Sequence, residues 1–93
     1  MHIEPVEIYS DQTNAAVMRH PGRKFPGVLI QGDTLHTLCV SADEACRGLP
    51  RGSDAYNELN DLRNMLWGLL NHYKAVLGEH DVSLPFSEDR NPG

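Results

Sequence analysis

Arg19, Arg23 and Lys24 place three cations within six residues of a chain whose net charge is −5. They belong to the stretch RHPGRKFPGVLIQGD, Arg19–Asp33, which also holds the pairs Pro21-Gly22 and Pro26-Gly27. An arginine fork grips carboxylate or phosphate through two parallel hydrogen bonds. Mounted on a proline-stiffened loop, such a fork loses less ordering entropy on binding. His20 can stack or donate, and the Gln31 side chain and the Gly32 backbone N–H add neutral donors. Arg19, His20, Arg23, Lys24, Gln31 and Gly32 are therefore candidate contacts for an anionic small molecule, such as a nucleotide or nucleotide-derived signal. A blander reading stands beside this one. Arg19 can pair with Asp33 or with an acid of the long helix, and such exposed pairs contribute only ~0–1 kcal/mol. Asp33 also argues against a phosphate loop, because a carboxylate at a helix start already occupies the terminus that attracts phosphate. The glycine spacing fits neither the dinucleotide nor the P-loop fingerprint.

Other reactive residues point to no catalyst. Of the five histidines, only His36 has a cysteine at close helical spacing, Cys39, and two ligands leave a zinc site half-built. Cys39 falls on the apolar side of a predicted helix, where burial raises a thiol pKa and keeps it inert. His36 and Asp43 share that helix, and His20 could pair with Asp33, yet no spacing demands a triad. Neither a cofactor nor a metal is called for, and the expectation is a protein that is not an enzyme. Cys39 and Cys46 lie two helical turns apart, roughly 10 Å. That exceeds the Cα separation a disulfide tolerates, so both are expected to be reduced and buried.

The elements that must position these residues follow from periodicity. Ile3–Tyr9 alternates, with Val6 and Ile8 on one side and Glu7 and Tyr9 on the other, as in a half-buried strand. SDQTN at 10–14 is turn material, and Ala15–Arg19 resumes the alternation as a hairpin partner. Pro21-Gly22 suits the centre of a type II turn with glycine at positive φ. The apolar run Val28-Leu29-Ile30 predicts a central strand covered on both faces. Asp33 is the expected N-cap of a first helix whose inner face carries Leu35, Leu38, Cys39, Ala42 and Ala45 or Cys46, closed by Gly48 and Pro50. Ser53-Asp54 opens a second helix ending at Gly78. Within it Leu59, Leu62, Leu66, Leu69, Tyr73 and Val76 step 3-4-3-4-3 like a heptad seam. Running nearly 40 Å at 1.5 Å per residue, that helix outreaches short strands of ~17 Å. A second copy is expected to cover the excess, through Leu59, Leu62, Leu66, Trp67, Leu69 and Tyr73, making a homodimer; the alternative is a monomer in which this helix folds back on the first helix and the tail. Glu58, Asp61 and Arg63 read as its solvated outer face. VSLPF at 82–86 docks back on the core, and 87–93 forms a disordered tail after a single domain over 1–86. The fold class is α+β: a small, mainly antiparallel three-stranded sheet packed against one short and one long α-helix.

Charge and hydropathy narrow the function classes. Residues 1–52 carry six acids and five bases, and residues 53–93 seven acids and three bases. An acidic chain with one short basic segment lacks the field that duplex nucleic acid requires, so nucleic acid is not an expected partner. Apolar runs of three or four residues are too short to span a membrane. MHIEPVEIYS has neither the basic nor the apolar region of a secretion signal, which points to the cytoplasm.

The string Arg19-x-Pro21-Gly22-Arg23-x-Phe25-Pro26-Gly27, followed by Gln31-Gly32-Asp33, the late helix with Tyr73 and the Leu84-Pro85 ending, resembles a widespread family of small bacterial proteins of unknown function. The resemblance implies a stand-alone chain and carries over no catalytic residue. Two functions are expected from different classes. One is a non-catalytic module holding an anionic small ligand for sensing or sequestration. The other is a protein–protein regulator, of the inhibitor or immunity kind, acting through its acidic long helix.

Overall fold

A computed structural model describes residues 1–87. The element order is β1 (Glu7–Ser10), β2 (Ala15–Arg19), β3 (Gly27–Ile30), α1 (Gly32–Arg47) and α2 (Asp54–Glu79), an α+β protein with three strands, a short helix and a long one. Two units divide it, Met1–Gln31 and Gly32 onward.

The first unit is an antiparallel sheet in the order β1-β2-β3. Short connections pair each strand with its neighbour in sequence, so β2 is central. The expectation of a central β3 is corrected for that reason: β3 is an edge strand, and Val28, Leu29 and Ile30 are 61%, 52% and 41% exposed. Facing pairs run Ala15↔Ile30 to Met18↔Gly27 on one side and Glu7↔Arg19 and Ile8↔Met18 on the other, with a register shift between Ile8 and Ser10. The first strand begins at Glu7 rather than Ile3, after Pro5, whose ring removes a backbone donor.

The second unit is a pair of helices. Its α1 starts at Gly32, one residue before the expected cap, and Asp33 accepts a hydrogen bond from the Thr34 N–H at 2.8 Å within the first turn. Negative charge there complements the helix dipole. Ser53 caps α2 as its residue type predicts, accepting from the Tyr56 N–H at 3.1 Å. The helix runs past Gly78 and stops where Asp81 turns left-handed at φ 56°. There the Val82 N–H donates to the Leu77 carbonyl at 2.9 Å and the Asp81 N–H to that of Gly78 at 3.3 Å, a Schellman ending with aspartate in glycine's usual place. Leu35, Cys39 and Leu70 form the core, with Leu66, Trp67, Tyr73 and Phe86 packed on it. Phe86 also stacks on His36, centroids 4.3 Å apart, which docks the VSLPF segment. Cys39 and Cys46 are free and buried. The tail assigned to 87–93 lies outside the described residues from 88 onward.

Candidate functional site

The β2–β3 loop is built on a tight turn. The Arg23 N–H donates to the His20 carbonyl at 2.9 Å, closing Pro21-Gly22 between them. Gly22 does not take positive φ, so the expected type II geometry is replaced by one that leaves both central residues in ordinary backbone regions. The reason is local: the His20 Nδ1 accepts the Gly22 N–H at 3.0 Å and holds the turn from its side-chain end. With Nδ1 as acceptor, the neutral ring carries its proton on Nε2.

Arg19 is committed elsewhere. Its Nε donates to Glu7 Oε1 at 2.5 Å across the β1–β2 pair, and its Nη1 donates to the Arg23 carbonyl at 3.2 Å. Hydrogen bonding to Arg19 holds the Glu7 carboxyl below its usual range, and the same bond raises Arg19. The blander reading foresaw such a pair but placed it with Asp33 or the long helix; the partner is a strand neighbour. Lys24 sits over the Phe25 ring, 5.6 Å from its centroid, a cation–π contact. Gln31 follows the far end of β3, and Gly32 is buried at the start of α1, where an added Cβ would overlap the tip of the Tyr73 ring.

That leaves Arg23. Its guanidinium has no hydrogen-bond or ion-pair partner among the described residues. It borders a groove of about 280 Å³ whose other walls are His20, Val6, Met18, Phe25 and Val28 with its strand neighbours. The wall is apolar except at the Arg23–His20 end. Of the six cationic and polar contacts read from the sequence, the structure brings Arg23 and His20 to one groove.

A second pocket, of about 270 Å³, was not anticipated. Arg47 from the end of α1, Arg51 from the linker and Arg63 from α2 line it together with Cys46, Leu49 and Tyr56. Arg63 is not a solvated outer residue: its Nη1 lies 3.8 Å from Asp43 Oδ1, and it also bonds the Asn60 side chain. The same Asp43 oxygen accepts the Trp67 indole N–H at 3.0 Å, tying α1 to α2. One signal was present in the sequence: Arg47 and Arg51 flank Gly48-Leu49-Pro50, a linker too short to separate them widely.

The predicted interface residues divide. Leu66, Trp67 and Tyr73 pack on the core of the same copy, and Leu59 is half-buried. Leu62 and Leu69 are 50% and 60% exposed and flank Met65 at 69%, on an outer ridge of α2. The side of Gly68 on this helix meets open space. Burial pushes the Cys39 thiol up, with the Asp43 charge adding to it, so it is a poor nucleophile. No helix among the described residues is long and apolar enough to cross a membrane.

Comparison with curated proteins and with solved structures gave no match. A family model does match, over residues 1–86, nearly the whole chain and all of the Arg19–Asp33 stretch. The chain belongs to that family, a family of unknown function (DUF6959).

Proposed function

We propose that the protein is a non-catalytic module that holds an anionic small ligand, for sensing or sequestration, in the groove beside the β2–β3 turn. The observation that carries this reading is Arg23, a guanidinium without a partner among the described residues, at the polar end of an apolar groove. The anionic group pairs with Arg23, the His20 Nε2–H donates beside it, and an aromatic or aliphatic body lies against Phe25, Met18 and Val28. A nucleotide meets this pattern through its base and phosphate, and an apolar carboxylate through its chain. Arg19 serves as the strut that holds Arg23's backbone. Calorimetric titration with nucleotides and with aromatic carboxylates tests the reading. Saturable heat that Arg23→Ala abolishes supports it; no heat at millimolar ligand, or equal binding by Arg23→Ala, rejects it.

The same module works as a homodimer in the cytoplasm. Support for the dimer comes from the exposed Leu62–Met65–Leu69 ridge, beside which Gly68 leaves room for a second helix to approach. Two free thiols fit a reducing compartment. Light scattering should give twice the chain mass, falling to the single mass for Leu62→Glu/Leu69→Glu. The second reading, a regulator docking α2 on a basic partner, draws on that ridge and on the acids Glu58 and Asp61 near it. It requires association that slows sharply with added salt and that ignores Arg23→Ala.

A further inference from the structure

We propose that the pocket lined by Arg47, Arg51, Arg63, Leu49, Tyr56 and Cys46 is a second anion site, which binds a phosphate monoester. Three separate elements each deliver one guanidinium to a space of about 270 Å³, and no lining residue is acidic. Like charges brought together repel, and among the described residues only Arg63 of the three has an ion-pair partner, Asp43 at 3.8 Å. Arg47 and Arg51 have no ion-pair partner among the described residues. Among the lining residues and their ion-pair partners, three cations stand against one carboxylate, an excess of two. A phosphate monoester near neutral pH carries about −1.5 to −2 and offers three acceptor oxygens, which matches both the charge and the number of forks. A carboxylate, with one charge and two oxygens, matches neither.

The site is held in advance. Arg63 is held by a hydrogen bond to the Asn60 side chain and by an ion pair with Asp43 at 3.8 Å. Arg51 sits second in the turn Pro50–Ser53, where the Ser53 N–H donates to the Pro50 carbonyl at 3.2 Å and Gly52 takes φ 86°. That is type II geometry, which requires glycine third and gives Arg51 a defined exit direction. The ordinary explanation of Arg47, a cation complementing the end of α1, accounts for one arginine and not for the two brought from elsewhere. Leu49 and Tyr56 supply an apolar and aromatic wall for the organic part of the ester. The site shares no residue with the groove at Arg23, so each stands or falls alone.

Titration of the full chain with phenyl phosphate and with inorganic phosphate, by calorimetry and by amide chemical shifts, tests the site. One phenyl phosphate per chain is expected, shifting amides around 46–56 and binding at least tenfold more tightly than inorganic phosphate. Arg51→Gln, on an exposed turn, should weaken it at least tenfold with the melting curve unchanged, and Arg47→Gln should do likewise. Arg23→Ala should leave it untouched. Equal affinity for the two phosphates leaves an ion site and overturns the ester assignment. Absence of binding at millimolar ester, indifference to Arg51→Gln, or loss on Arg23→Ala overturns the site altogether.

Discussion

Residues 1–31 contain no buried side chain, whereas Leu35, Cys39, Ala42, Cys46 and Leu70 of the helical pair are buried, Cys39 and Leu70 completely. Each half also carries an arginine-bearing turn, and the two turns differ in the same sense. In the sheet, Arg19 is spent on the Glu7 bridge and one free arginine faces an apolar groove. In the helical pair, three arginines line one pocket, and Asp43 contacts both Trp67 and Arg63 of α2. Apolar burial, at roughly 25 cal/mol per Å², therefore acts mainly between α1 and α2. The sheet is held by ladder hydrogen bonds and offers surface.

That contrast can be broken by substitution. Leu70→Ala should cost ~2–5 kcal/mol in urea denaturation, while Leu29→Ala on β3 should cost under ~1 kcal/mol. Similar losses at the two positions would show that the sheet contributes to the stable core after all. Next in size is Gly32→Ala, where a methyl meets the Tyr73 ring; overpacking of this kind costs ~1–3 kcal/mol. Combining it with Tyr73→Ala should give less than the sum of the two single losses, because the clash is gone.

A smaller effect distinguishes the two turns. Gly52→Ala forces a side chain into left-handed backbone at φ 86° and should cost ~1–2 kcal/mol. Gly22→Ala should be nearly neutral, since its φ is ordinary and its nearest neighbour, the His20 ring, stands 3.4 Å from the added methyl. Chemical denaturation of both variants measures the difference. Smallest is the Glu7–Arg19 pair. Because the Arg19 bond holds the folded carboxyl below its ordinary value of 4.5, its stabilisation is present above that value and fades as pH falls through the lower folded pKa. The carboxyl shift of Glu7, followed by NMR against pH, should show a midpoint below 4.5 that returns towards it in Arg19→Ala.

Much of this was readable from residue types. The Ser53 cap, the limits of β2, the unbridgeable cysteines and the apolar face Leu35-Cys39-Ala42-Cys46, though not Leu38, which is 41% exposed, all follow from properties of a few neighbouring residues. Where the reading failed, two local solutions looked alike. Val28-Leu29-Ile30 has the composition of a central strand, but hairpin connectivity put it at an edge. Pro21-Gly22 suits a type II turn by residue type, but Gly22 does not take positive φ, and the His20 Nδ1 accepts its N–H instead. The 3-4-3-4-3 seam widens into a stripe with Tyr56, Trp67, Leu70 and Leu77, and it was Leu70 on its flank that became the centre of the core.

Local propensity and hydrophobic period alone determined that this chain makes three short strands and two helices with a reduced, apolar helix face, because those depend on interactions within a few residues. Tertiary structure decided which cations stay free. An arginine's partner is whatever acid the fold brings within about 4 Å, and Glu7, twelve residues from Arg19, came within reach, as did Asp43, twenty before Arg63. Charge sign is written in the sequence; charge pairing is a property of distance.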